Sequence, residues 1–314
     1  MKTLLAVTAI AAIGFANATE AAMKKRVTFE SAGQALAGDL YLPDTFNEGD
    51  RLPGVVVTGA WMTVKEQMAG TYAAELADRG YAALVFDFRG WGQSPDKIRY
   101  LEDPARKTVD INAAVNFLAM RPEVDSTRIA GLGICASAGY MSDAALQNAS
   151  IKSLALVAPW LHDAEIVDAV YGGEEGVTHL IEISRNAAQA DEPVILEAAS
   201  MTNENAVMYQ APYYTESDRG RIPEFDNKFN AASWEGWLTY DAIRTANKLE
   251  KPTLLVHSEA AAIPQGAKEY ASLMGENATA VWLPETTQFD FYDRPDVVET
   301  SADAVSGHFE RTLR

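Results

Sequence analysis

Apolar positions along this chain fall into two periods. Unbroken, largely β-branched runs at residues 54–58, 81–86, 128–134, 151–157, 252–256 and 279–283 predict strands, most of them covered on both faces. Between them the spacing becomes helical. Met68, Tyr72, Ala73, Leu76 and Ala77 mark a helix over 65–79 that stops at Gly80, and Val109, Ile111, Ala114, Val115 and Leu118 mark another over 104–120. Further helices are predicted at 136–148, 264–274 and 295–313. Two earlier strands, 24–30 and 35–42, flank Ser31-Ala32-Gly33 as a hairpin. Strand and helix alternating in this way predict an α/β fold: a mostly parallel central sheet with helices on both faces.

The alternation stops over 161–247, where helical and loop signals prevail, including a helix over 177–188. A stretch that long without structure of its own is improbable in one domain, so a helical lid or cap inserted above the sheet is expected. The core then comprises 19–160 and 248–314. Residues 1–18 read as a secretory signal: Lys2, an apolar run from Leu4 to Phe15 too short to span a bilayer, and the small-x-small triplet Ala16-Asn17-Ala18. A periplasmic or secreted location follows, with no membrane contact once the signal is removed.

Composition narrows the chemistry. Hydrophobic residues make up 48% of the chain, enough for a large core, and a net charge of −18 opposes nucleic acid or an anionic membrane as partner. Neither a metal-ligand spacing nor a phosphate-binding glycine loop is present, so no metal or cofactor is implied. The single cysteine, Cys135, excludes an internal disulfide.

Cys135 stands where the strand 128–134 meets the following helix. Gly133 and Ser137, two residues to either side, are as small as a sharply bent nucleophile elbow requires. Centring the elbow on Ser137 would place the nucleophile two residues beyond the apolar run, and a buried packing thiol is the bland alternative.

Order, spacing and elbow together resemble the α/β-hydrolase superfamily, over essentially all of the chain after the signal except the insert. A cysteine at the elbow is similar to the dienelactone hydrolase group. The pieces Asp87-Phe88-Arg89-Gly90-Trp91-Gly92, Gly133 to Tyr140 and Gln288 to Asp293 resemble an esterase-like branch that includes polyketide transferases. The resemblance implies Cys135 as nucleophile, an oxyanion hole from the backbone N–H groups of Ala136 and Ala60, and a thiol pKa lowered by the helix start at Ala136. It implies an acid in the loop after the strand 252–256, where Glu259 is the only carboxylate, with Asp163 as the alternative. Where such proteins carry the catalytic histidine, this sequence has Gln288, whose amide cannot take up a proton. Of the four histidines, His257 and His162 end or follow strands at the ligand edge, so His257 is the candidate base; His179 falls in the insert and His308 on the last helix, at the surface. Asp87 and Arg89 could pair to support the glycine loop.

The expected activity is that of an esterase, thioesterase or lactone hydrolase on a small, largely apolar acyl substrate. The alternatives are an acyl transferase and a degenerate hydrolase fold that binds a small apolar ligand.

Overall fold

In the computed structural model, which describes residues 22–314, the unbroken apolar runs form six neighbouring strands of one eight-stranded sheet, the last of them at its edge. Its elements begin with β1 (Met23–Ser31), β2 (Gln34–Leu42), β3 (Leu52–Thr58), α1 (Met68–Asp78), β4 (Ala82–Phe86), α2 (Pro104–Ala119), β5 (Val124–Ile134), α3 (Ser137–Gln147) and β6 (Ile151–Val157). There follow α4 (Ala164–Val170), α5 (Gly173–Ala188), β7 (Ile195–Glu197), β8 (Ala199–Ser200), β9 (Met208–Tyr209), α6 (Pro212–Thr215), β10 (Lys228–Asn230) and α7 (Ser233–Leu238). The chain closes with β11 (Thr253–His257), α8 (Pro264–Met274), β12 (Ala278–Trp282), α9 (Asp290–Asp293) and α10 (Pro295–Thr312).

Strand order is β1-β2-β4-β3-β5-β6-β11-β12. The β1–β2 hairpin joins β4 antiparallel and the other pairings of this sheet are parallel, so the carboxyl ends of β3, β4, β5, β6, β11 and β12 share one edge. All five residues of β4 and all five of β11 are buried, as their unbroken apolar runs require. Helices α1 and α10 pack together on one face of the sheet, α2 and α3 on the other. The signal expected at residues 1–18 lies outside the described residues. Among those described, no helix is long and apolar enough to cross a membrane.

Two predicted boundaries and one buried face differ for identifiable reasons. Helix α1 starts at Met68 rather than at residue 65, because the Lys65 N–H is held by the Asp87 carboxylate at 2.8 Å and the Val64 N–H by Gln67 Oε1 at 3.0 Å. Strand β5 starts at Val124: Leu52 pairs with Val124, and the register then slips between Pro53 and Gly54. On α2, Val109 faces solvent, while Thr108 and Ile111 take the buried side.

The insert is less helical than expected. Besides α4, α5, α6 and α7 it carries two small sheets, β10 with β7 and β8 with β9. It is tied to the strand-end loops by hydrogen bonds: Gln67 Nε2 donates to the Gly220 carbonyl (2.6 Å), the Met68 N–H to the Tyr213 hydroxyl (3.1 Å) and the Glu102 N–H to Ser233 Oγ (2.9 Å). The Trp61 ring, from the loop after β3, lies among Phe229, Trp234 and Trp237 of the insert at 5.2, 5.8 and 4.9 Å.

Candidate active site

The turn from β5 into α3 is sharp because its sequence permits it. Cys135 sits at φ 55°, in the left-handed region that non-glycine residues occupy only when their surroundings hold them there. Three backbone bonds do so: the Cys135 N–H to Val157 (3.1 Å), and the Ala138 and Trp160 N–H groups to the Cys135 carbonyl (3.0 Å each). A Cβ on Gly133 would come within 2.6 Å of the Ser137 carbonyl oxygen. Gly133→Ala is therefore expected to cost about 1–3 kcal/mol, the range for overpacking, as a lower denaturant midpoint at unchanged slope. Ser137, the other possible centre, has a fully buried hydroxyl beneath the turn, away from the cavity.

The backbone N–H groups of Ala136 and Trp61 both draw the Cys135 pKa down, as donors near its sulfur do. Ala60 is corrected as donor. Its N–H turns to Met68 Sδ at 3.5 Å, and its carbonyl anchors the turn by accepting from Thr63 Oγ1 at 2.6 Å. The next residue but one is fixed as well, because the Met62 N–H donates to Glu102 Oε2 at 3.1 Å. Trp61, between these two anchors, is the residue that faces the thiol.

Gln288 and Tyr292 line the cavity beside Cys135, and both pull its pKa down. Sequence reasoning missed Tyr292. It stands four residues after Gln288, the spacing that puts two side chains on one helical face, and that spacing was the available signal. Gln288 is fully engaged: Oε1 accepts from the Ala262 N–H (3.1 Å), and Nε2 donates to the Ala158 carbonyl and to Tyr292 Oη (2.9 Å each).

The site does not lower the thiol pKa. Burial pushes its pKa up, against the pull of Tyr292, Ala136, Trp61 and Gln288. The helix start was expected to lower it, but desolvation outweighs two N–H groups at a site this dry. Alkylation of Cys135 by iodoacetamide is accordingly expected to be slow at neutral pH and to inflect above the ordinary thiol value of about 8.5. A rate-against-pH series reads this directly.

The remaining candidates lie elsewhere. Glu259 is corrected as the acid: it is an exposed residue paired with Lys268 at 2.6 Å and with Trp282 Nε1 at 2.6 Å, and it does not touch Gln288. His257 is corrected as the base. Its ring is buried at the end of β11 against Trp282 and Phe291, outside the cavity, and burial lowers its pKa to about 4. His162 is likewise lowered to about 4 by burial, and both its ring nitrogens are used, by Trp160 Nε1 (3.0 Å) and the Trp237 carbonyl (3.2 Å). Asp163 caps α4 by accepting from the Ile166 N–H. His308 is buried against Ser153 rather than at the surface, and His179 is exposed on α5. Asp87 and Arg89 do not pair: Asp87 binds Lys65 (3.0 Å) and Arg89 binds Asp110 (2.7 Å).

Two buried histidines that stay neutral have a consequence for folding. The unfolded chain takes up their protons near pH 6.5 and the folded chain only near pH 4, so stability is expected to fall as pH drops through that window. Thermal melts between pH 7 and pH 4 measure it.

Above Cys135 opens a cavity of about 440 Å³. Trp61, Trp160 and Phe289 from the core and Tyr171, Tyr214 and Trp237 from the insert make it largely aromatic, with Met208, Tyr209 and Gln210 at its other wall. Of the insert aromatics, Tyr213, Trp234 and Tyr240 do not line it. Among the described residues, no carboxylate, imidazole, lysine or arginine does so either, and no cluster of His, Cys, Asp or Glu could hold a metal ion. The arrangement can polarise a carbonyl beside a thiol in an uncharged, apolar chamber.

Comparison with known proteins agrees with the fold. A family model described as Hydrolase_4, Serine aminopeptidase, S33, matches residues 55–281. The uncharacterized protein YcjY of Escherichia coli (strain K12) is 28% identical over 313 residues, covering 93% of this chain and 100% of the relative. The uncharacterized protein PA2218 of Pseudomonas aeruginosa is 30% identical over 310 residues, covering 92% and 81%. The crystal structure of PA2218 superposes with a TM-score of 0.81 over 94% of this chain and 95% of that one, at 26% identity. Thiohydrolase aneE of Aspergillus aculeatus is 28% identical over 127 residues, 40% of this chain and 38% of the relative. Likeness of fold alone extends to alpha/beta hydrolase GrgF from Penicillium sp. sh18 (TM-score 0.78, 18% identity, 93% and 99% covered). It extends also to Est1E of Butyrivibrio proteoclasticus with ferulic acid bound (TM-score 0.61, 18%, 91% and 99%).

Proposed function

Because the chain belongs to the α/β-hydrolase family described as Serine aminopeptidase, S33, we propose that Cys135 takes the place of the family's nucleophile and accepts the acyl group of a small, largely apolar ester or thioester. One observation carries this reading: the sulfur stands on a strained elbow beside two convergent N–H donors, at the floor of an uncharged aromatic cavity. The acyl carbonyl oxygen would lie between the Ala136 and Trp61 N–H groups, where charge developing in a tetrahedral intermediate is stabilised. Attack by sulfur gives an acyl-enzyme thioester. Relatives named as a thiohydrolase and a polyketide transferase support acyl chemistry of this kind.

The insert 161–247 acts in this reading as a lid that excludes water. The pattern of residues 1–18 supports export to the periplasm or beyond, which amino-terminal sequencing of protein recovered from that compartment tests. The ligand is a neutral small molecule, and no cofactor enters the chemistry.

The test is intact-mass analysis after incubation with a panel of aryl and alkyl thioesters and esters. Wild type is expected to gain one acyl mass on the peptide carrying Cys135, and Cys135→Ala to gain none. Turnover that survives Cys135→Ala would remove the nucleophile assignment. A second reading, a protein that binds a small apolar ligand without turnover, is favoured by Gln288 in the base position, and saturable binding without any adduct would establish it.

A further inference from the structure

The position that lacks a base is not vacant. Gln288 is clamped at both ends, with its carbonyl oxygen on the Ala262 N–H and one amide hydrogen on the Ala158 carbonyl. Turning the amide over would set oxygen against oxygen and N–H against N–H, so only one orientation is compatible with its neighbours. That orientation aims the second amide hydrogen at Tyr292 Oη. The Tyr292 ring is itself locked, nearly perpendicular to Tyr213 at 5.1 Å and to its other side against Phe289 at 5.8 Å. A tyrosine oxygen has two acceptor positions and one hydrogen. Gln288 fills one acceptor position, and the other acceptor and the hydrogen are left free in the cavity that Tyr292 lines together with Cys135.

We propose that Tyr292 is a catalytic residue that shuttles the thiol proton to the leaving group, a role that rests on the reading of Cys135 as nucleophile. As the bond from sulfur to the acyl carbon forms, the Sγ proton passes to Tyr292 Oη. The hydrogen already on Oη passes to the departing sulfur or oxygen as its bond to the acyl carbon breaks. Tyrosine is neutral before and after, the thiol loses one proton and the leaving group gains one, so no free base is consumed. Burial, which holds the Tyr292 hydroxyl well above its ordinary pKa, keeps it in the protonated form this exchange uses. The cavity supplies no competing group, since no carboxylate or imidazole lines it among the described residues.

The experiment compares single-turnover acylation of wild type, Tyr292→Phe, Gln288→Leu and Cys135→Ala by two thioesters, one with an alkyl and one with an aryl thiol leaving group. Tyr292→Phe is expected to slow acylation by the alkyl thioester about 100-fold, the lower range for positioned proton transfer. The aryl thioester, which reacts with the Cys135 thiolate fraction after its proton has gone to solvent and whose own thiolate departs without a proton, is expected to slow by under about 10-fold. Gln288→Leu, which frees the tyrosine hydroxyl to turn, is expected to show the same selectivity at smaller amplitude. Dissociation constants for a non-reactive ketone analogue should stay within about 2-fold of wild type, which separates chemistry from binding. Equal slowing of both donors, or unchanged rates in Tyr292→Phe while Cys135→Ala is dead, overturns the shuttle and leaves the nucleophile intact. Acylation persisting in Cys135→Ala overturns the reading beneath it instead.

Discussion

Glu102→Ala is expected to lower folding stability by about 3–5 kcal/mol, the range for stranding one partner of a buried ion pair. Glu102 is fully buried, and its carboxylate gathers Lys107 Nζ at 2.6 Å, the Tyr140 hydroxyl at 2.9 Å and the Met62 N–H at 3.1 Å. Lys107 is buried as well, over the rings of Phe88 and Trp91 at 4.5 and 5.0 Å, and burial draws its pKa down against the pull of Glu102. Without the carboxylate, the ammonium loses its counter-ion in a place water does not reach. Urea titration of the variant gives the loss. The same substitution releases Met62, the residue after the Trp61 donor, so acylation should slow in whatever fraction remains folded.

Cys135→Ser is expected to be as inactive as Cys135→Ala, at least about 100-fold below wild type in acylation. The family description names a serine, and serine would fit the elbow at least as well as cysteine. What it would lack is a base strong enough to take a proton held as tightly as a hydroxyl's. A hydroxyl has to be deprotonated by an adjacent base before it attacks, whereas a thiol is the least dependent of the common nucleophiles on such help. The Gln288 oxygen is taken by the Ala262 N–H, and a neutral Tyr292 that can exchange a proton with a thiol is too weak a base to draw one from a hydroxyl. Single-turnover rates for the three proteins with one aryl thioester decide the matter, and a serine variant within tenfold of wild type would mean that a base reaches the site after all.

Much of the fold was legible because the central strands announce themselves. A run such as Tyr81 to Phe86 has no polar face, so it has to be covered on both sides. The elbow was legible for a related reason: Gly133 and Ser137 flank Cys135 because the main chain passes too close for anything larger. The rest depended on contacts between distant segments. Trp61 rather than Ala60 faces the sulfur because Met68 and Glu102, 8 and 40 positions away from their partners, fix the residues on either side of it. Glu259 was the only carboxylate in its loop, but its side chain leans out to Lys268 and Trp282. His257 and His162 sit at the correct edge of the sheet and point into packing, a distinction that strand position alone does not carry. The small sheets of the insert are built from strands of two or three residues, too short for any period to show.

Trp61 belongs at once to two parts of the molecule. Its N–H faces the Cys135 sulfur, and its indole is wedged among Phe229, Trp234 and Trp237 of the insert. A displacement of the insert large enough to admit a bulky ligand must unstack that indole, and the peptide unit attached to it would move too. On the proposed reading, opening and carbonyl polarisation would then exclude one another in time: the chamber would fill while the Trp61 N–H was away from the sulfur, and that donor would return only as the aromatic wall closed.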